Sequence, residues 1–192
     1  MKKTIFICAI LFASLAAAAD IPSPAVQIAG AVLAAPAELK AGAAVLGFGP
    51  KGERIWLREG KNEIVCLAND PSHPTFESAC YHKDLEPFMA RGRELLAQNV
   101  TGNKRNDMRN QEVKDGKVPM PREARTLYVL TGKSFDPATG KVEDSYLRYV
   151  LYVPFATPQS TGLSTKSAPD GGPWLMGSGT AGAHIMINPP KK

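Results

Sequence analysis

Histidine and cysteine are scarce in this chain, three of each among 192 residues, and aromatic side chains make up only 7%. That leaves little material for a metal centre, which needs three or four good ligands. No Cys-x-x-Cys pair occurs, so the common zinc spacing and the dithiol redox motif are both missing. There is no Gly-x-Ser-x-Gly nucleophile elbow; Ser178 sits instead in Met176-Gly177-Ser178-Gly179. Gly177, Gly179 and Gly182 do not make a phosphate loop, because strand-like chain follows them and not a helix opened by lysine. Beyond residue 19 no apolar run reaches the roughly 20 residues that a membrane span takes. No internal repeat or low-complexity tract is found.

Glycine and proline are plentiful, 17 and 16 residues, all after residue 19. This density of turn formers points to short elements and many loops, not to a helical bundle. Hydrophobic residues at 44% and charged residues at 21% are values of an ordinary globular chain. Met1-Lys2-Lys3, followed by an apolar run from Thr4 to Ala19 that ends in three alanines, has the pattern of a secretory signal. Cys8 follows the bulky Ile7 with too little apolar chain before it, so lipid attachment is not expected. Cleavage after Ala19 would leave one domain, residues 20–192, in a periplasmic or secreted location.

Loss of Lys2 and Lys3 takes the basic residues from 23 to 21 against 18 acids, a net charge of +3. Residues 103–125 hold much of the excess, with Lys104, Arg105, Arg109, Lys114, Lys117, Arg122 and Arg125. Acids are interleaved and no aromatic stacks among them, so the segment reads as a solvated mixed-charge face and not as a nucleic-acid surface. Once the leader is removed, Cys66 and Cys80 remain. An even count in an oxidising compartment predicts a disulfide, worth about 3 kcal/mol for a loop of about 15 residues in the chain-entropy model.

Residues 25–34 suit a short helix. Three strand-like runs follow, 43–48, 54–58 and 63–67, separated by Gly-containing turns, which predicts an antiparallel meander. The stretch 69–80 reads as a proline-rich loop closed by the disulfide. An amphipathic helix over 84–98 comes next, with Asp84 as N-cap, Leu85, Phe88, Met89, Gly92, Leu95 and Leu96 on its apolar side, and its start tethered by the disulfide to the third strand. The polar segment 103–116 fits either an exposed helix or irregular chain. Arg125–Thr131 and Ser145–Val153 read as strands, the second central because both its faces are apolar. A long loop over 156–182 leads to a last strand at Ala183–Ile187. The expected fold is α+β: one domain, an antiparallel sheet of five or six short strands, one packed helix and a long C-terminal loop.

Two stretches look familiar. Leu57-Arg58-Glu59-Gly60-Lys61-Asn62, Cys66, Asp70-Pro71 and Cys80 form the first. Gly162-Leu163-Ser164-Thr165, Trp174-Leu175-Met176, Gly179-Thr180 and Ala183-His184-Ile185-Met186-Ile187 form the second. Together they resemble a family of uncharacterised secreted bacterial proteins with a Gly-x-Asn turn before the first of two cysteines and a C-terminal Ala-His-Ile-Met segment. The resemblance implies export and a disulfide, and no reaction.

The candidate site residues follow from side-chain chemistry. Trp174 and His184, at the long loop 156–182, form the expected binding site of an exported, non-catalytic module for a small molecule, polymer or protein. Trp56, flanked by Arg54 and Arg58, is a further candidate contact. The alternative is a metal-binding protein or metal-dependent enzyme that uses His184 with His82 or Met186; imidazole plus thioether is a soft set suited to copper. The leading reading calls for no cofactor.

Overall fold

The computed structural model describes residues 20–191, so the leader read at residues 1–19 lies outside the described residues. Ser23 opens helix α1 (Pro24–Ala31) by accepting from the Val26 amide at 3.4 Å, and proline suits the first turn because its missing N–H is one of the unpaired ones. Short 3-10 segments, Val32–Ala34 and Ala37–Gly42, carry the chain to β1 (Ala44–Phe48). β2 (Arg54–Arg58), β3 (Ile64–Leu67) and β4 (Phe76–His82) follow. A 3-10 turn, Lys83–Leu85, leads into α2 (Glu86–Ala97), and α3 (Gly102–Lys114) comes next. The rest is β5 (Arg125–Gly132), a small hairpin of β6 (Phe135–Asp136) and β7 (Lys141–Val142), β8 (Tyr146–Tyr152), the single turn α4 (Pro158–Thr161), β9 (Trp174–Met176) and β10 (His184–Ile187).

Eight strands form one sheet in the order β2-β1-β3-β4-β5-β8-β10-β9. The fold is α+β as expected, but the sheet is neither five- or six-stranded nor wholly antiparallel. β1 and β3 run parallel, with Val45 opposite Cys66. The predicted meander fails at the second turn. Residues 59–63 do not fold β3 back onto β2 but wrap the start of β1. The Lys61 and Asn62 amides donate to the Gly42 carbonyl at 2.7 and 3.2 Å, and Asn62 Nδ2 donates to the Leu39 carbonyl at 2.8 Å. Gly60 passes so close to Ala44 that an added Cβ would lie 3.2 Å from the Ala44 nitrogen. The Gly-x-Asn turn is therefore a strand crossover.

The larger correction is β4. Chain read as loop up to Cys80 pairs with β3 on one side and β5 on the other. Phe76, Ser78 and Cys80 alternate inward, and the two prolines that suggested a loop end before the strand starts. Cys66 and Cys80 sit directly opposite each other, with Cα atoms 4.0 Å apart and a bond between their sulfurs. The disulfide thus ties two adjacent strands, and not a strand to the start of a helix. Asp84 is not the N-cap either. The His82 side chain accepts from the Asp84 amide at 3.2 Å, while the Asp84 carboxylate takes the Arg125 guanidinium at 2.8 Å.

Register sorts the core into two sides. Val45, Cys66, Cys80 and Tyr128 share one face, covered by α1 and the 3-10 segment after it through Ala31, Ala34 and Ala35. Val65, Tyr81, Leu127, Val150, Met186 and Trp174 line up across the other face. There the 3-10 turn lays Leu85, and α2 lays Phe88, onto the sheet. Each of these large side chains contributes about 2–3 kcal/mol by leaving water.

Gln27 fixes α1 to the sheet. Its Nε2 donates to the Pro22 and Phe48 carbonyls at 2.8 and 3.0 Å, and its Oε1 accepts from the Phe48 amide at 2.8 Å. Gln27→Ala leaves the Phe48 backbone groups unpaired in a buried site and is expected to lose about 2 kcal/mol. A urea midpoint equal to that of the parent would refute this.

Candidate functional site

β8, β10 and β9 run antiparallel at the C-terminal end of the sheet, so their facing residues form rows. One row is Tyr152, His184 and Met176; the next is Val150, Met186 and Trp174. Both rows lie on the side that carries α2 and α3. Trp174 and His184, singled out in the sequence, are thus brought onto one face two positions apart in register. The loop 156–182 that was to hold the site is less open than expected. Thr157 and Ser160 cap α4 reciprocally, and the Ser164 carbonyl accepts from the Leu175 amide at 2.8 Å. Trp174 itself belongs to an edge strand.

The His184 ring is fixed from below. Its Nδ1 lies 2.7 Å from the Gly182 carbonyl, and its ring centroid is 5.1 Å from that of Tyr152. Gly182 is in turn held by α3, since its amide donates to Asn110 Oδ1 at 2.8 Å. A Cβ there would meet Asn110 Oδ1 at 3.1 Å and Phe88 at 3.2 Å, so the close approach of helix and sheet calls for glycine.

Sequence reasoning missed the charged part of the site. Arg105 and Arg109 lie on α3, where the mixed-charge pattern suggested a solvated face. Both are half-buried, and the Nε of each is buried without an acceptor among the described residues. The Arg109 guanidinium sits 4.1 Å from the centre of the Phe88 ring, whose edge meets Tyr152 with centroids 6.1 Å apart. Burial pushes the Tyr152 phenol up, and Arg109 and Arg105 act against that shift. The Trp174 Nε1 is likewise buried with no acceptor. The sequence carried one signal for this: arginines four apart on a helix share a side.

Phe155 adds an exposed aromatic nearby in the chain. It is 48% exposed and holds a φ of 65°, a left-handed conformation that costs a bulky residue roughly 1–2 kcal/mol. Its amide donates to the Thr180 carbonyl at 2.8 Å, which ties it to the β9–β10 turn.

The other candidates are placed elsewhere. Trp56 is 51% exposed on β2, the opposite edge of the sheet from β9, beside Leu46, Ala90 and Arg93. His82 ends β4, three strand spacings from β10, or about 14 Å. Its Nδ1 lies 3.5 Å from the Asp84 carboxylate. His184 and His82 are therefore not brought together, whereas His184, Met176 and Met186 share a face. Among the described residues no cluster of three or more His, Cys, Asp or Glu side chains has the spacing of a metal site. A cavity of about 450 Å³ lies near α1, lined in part by Gln27, His73, Phe76, Lys133 and Phe135. Three of its polar side chains already have partners: Gln27 in β1, Thr75 for His73 and Glu143 for Lys133. It offers a recess but few free groups with which to recognise a ligand.

Burial sets the imidazole chemistry. Desolvation lowers the His184 pKa below its ordinary 6.5, the Gly182 carbonyl draws it up, and Arg109 pushes it down. Because the folded value lies below the unfolded one, the unfolded chain takes up this proton first as pH falls. The stability contribution is complete above about 6.5 and drains away below it. His184→Gln is therefore expected to lose less stability than the parent between pH 7 and pH 5. Parallel urea midpoints for the two proteins across that window would count against a buried neutral imidazole.

Comparison with family models, curated proteins and solved structures gave no match to the chain.

Proposed function

We propose that the protein is an exported, non-catalytic binding module whose site is the α3-facing side of β8, β10 and β9, around Tyr152, His184 and Trp174. The observation that carries this reading is the set of buried polar groups without partners there: Trp174 Nε1, Arg105 Nε and Arg109 Nε. A buried donor left unpaired costs about 1–3 kcal/mol, so a folded protein keeps several on one side of a sheet at a real expense. A ligand supplying acceptors recovers that energy on binding. Met176, directly opposite His184 and 46% exposed, offers apolar contact at the rim. Export is supported by the signal-like pattern of residues 1–19 and by the cross-strand disulfide, a bond that persists in oxidising compartments. No helix among the described residues is long and apolar enough to cross a membrane.

The metal reading keeps His184, Met186 and Met176 on one face but loses His82. Two guanidinium groups beside Tyr152, one of which also acts on His184, oppose a cation there by simple repulsion.

The two tryptophans provide the test, since each gives one indole N–H signal in a ¹⁵N spectrum. Fragments from a general small-molecule library that bind are expected to move the Trp174 signal and leave Trp56 in place. Hits that move only Trp56, or a library without hits at Trp174, would overturn the assignment. Elemental analysis of protein purified without chelator should find no stoichiometric metal; one copper or zinc per chain would favour the metal reading.

A further inference from the structure

We infer that the group this site recognises is an oxyanion, a carboxylate or phosphate, held by Arg105 and Arg109 with the Trp174 indole as a neighbouring donor. The inference rests on the binding reading above and names its ligand chemistry. Of the other half-buried arginines, three are matched to an acid: Arg91 to Glu112 at 2.7 Å, Arg125 to Asp84 at 2.8 Å, and Arg93 to Glu86. Arg58 donates instead to the Ala43 and Lys40 carbonyls, and Arg148 also lacks an acid among the described residues but has no buried nitrogen left unpaired. Arg105 and Arg109 have no such counter-charge among the described residues. Arg109 makes do with neutral partners, the Phe88 carbonyl at 3.4 Å and Asn106 Oδ1 at 3.0 Å, plus the face of the Phe88 ring.

Removing a guanidinium from water without an acid is unfavourable, and a second one a single helical turn away makes it more so. One oxyanion offsets both costs at once. It supplies the missing charge, and its lone pairs accept the charge-assisted bonds that Nε and a terminal nitrogen present side by side. The remaining groups fit the same ligand. An indole N–H only donates. Two nearby acceptors are already used, Asn110 Oδ1 on α3 by the Gly182 amide and the Gly182 carbonyl by His184. At Arg105 and Arg109 the unpaired buried groups are donors, which suits an anion and not a cation.

The test titrates ¹⁵N-labelled protein with sodium phosphate, sodium acetate or the uncharged acetamide, at an ionic strength held constant with sodium chloride. The Trp174 indole and the arginine Nε–H signals are read. A saturable shift is expected with phosphate or acetate and not with acetamide. A response to phosphate alone assigns a phosphoryl group; a response to acetate assigns a carboxylate. Affinity should fall by about tenfold or more in Arg109→Gln and in Arg105→Gln, the value of one charge-assisted bond. Thermal melts of the free variants check their folding. Arg105→Gln keeps the test decisive if Arg109→Gln, which loses its packing on Phe88, does not fold. No saturable shift with either anion, or an equal one with acetamide, overturns the oxyanion. If library fragments still move the Trp174 signal and neither anion competes with them, the site stands and the anion falls. If fragments and anions both fail, both readings fall.

Discussion

Replacing both bridged cysteines, Cys66→Ala with Cys80→Ala, is expected to lower stability by about 3 kcal/mol. The two are 14 positions apart in the chain, and in the chain-entropy model a crosslink of that span restricts the unfolded ensemble by this amount. Packing adds a smaller loss, because both side chains are fully buried between β3, β4 and Ala31, Ala34 and Ala35 at the end of α1 and just after it. For a domain of this size the melting temperature should fall by about 6–12 °C. Parent protein melted in strong reductant should move in the same direction. A double variant whose midpoint matches that of the oxidised parent would show that the bond contributes nothing to the folded state.

Phe88→Ala is expected to cost about 3–5 kcal/mol, the range for removing a large aromatic from a core. Phe88 is 1% exposed and joins three parts of the structure. It packs on Tyr152, lies beneath the Arg109 guanidinium and meets the Gly182 turn. The same substitution removes the surface on which Arg109 rests, so binding at the Trp174 site should weaken along with stability. Phe88→Leu keeps much of the volume and should cost less than half as much. Urea denaturation of the two variants measures the difference. A loss below about 1 kcal/mol for the alanine would mean that helix and sheet are not joined through this ring.

Much of the sheet could be read from the sequence because its strands alternate or run apolar. β1, β2, β3, β5, β8 and β10 each lie within a residue or two of where Val, Ile, Leu and Tyr patterns placed them. β4 was hidden by its neighbourhood. Pro71 and Pro74 signal a loop correctly, and the strand begins just after them with Phe76. Parallel pairing of β1 with β3 could not be read, since strand order depends on long-range contacts and a Gly-x-Asn turn looks the same whether it closes a hairpin or passes across a neighbour. Trp174 and His184 were visible because tryptophan and histidine are rare here. Arg105 and Arg109 were not, because a charge pattern does not tell a solvated helix side from one turned toward a sheet. Tyr152 looked like one more residue of a central strand. Its role depends on being opposite His184, which only register reveals.

The cover over the disulfide has a kinetic consequence. Neither sulfur is reachable from solvent, and Cys80 Sγ lies 3.3 Å from the Ala31 carbonyl oxygen. An outside thiol or oxidase therefore meets these atoms only while residues 24–42 are lifted away. The bond must form before the N-terminal segment has closed over β3 and β4, or while it is open. In the mature protein the rate of reduction therefore depends on how often that segment opens as well as on the reactivity of the bond.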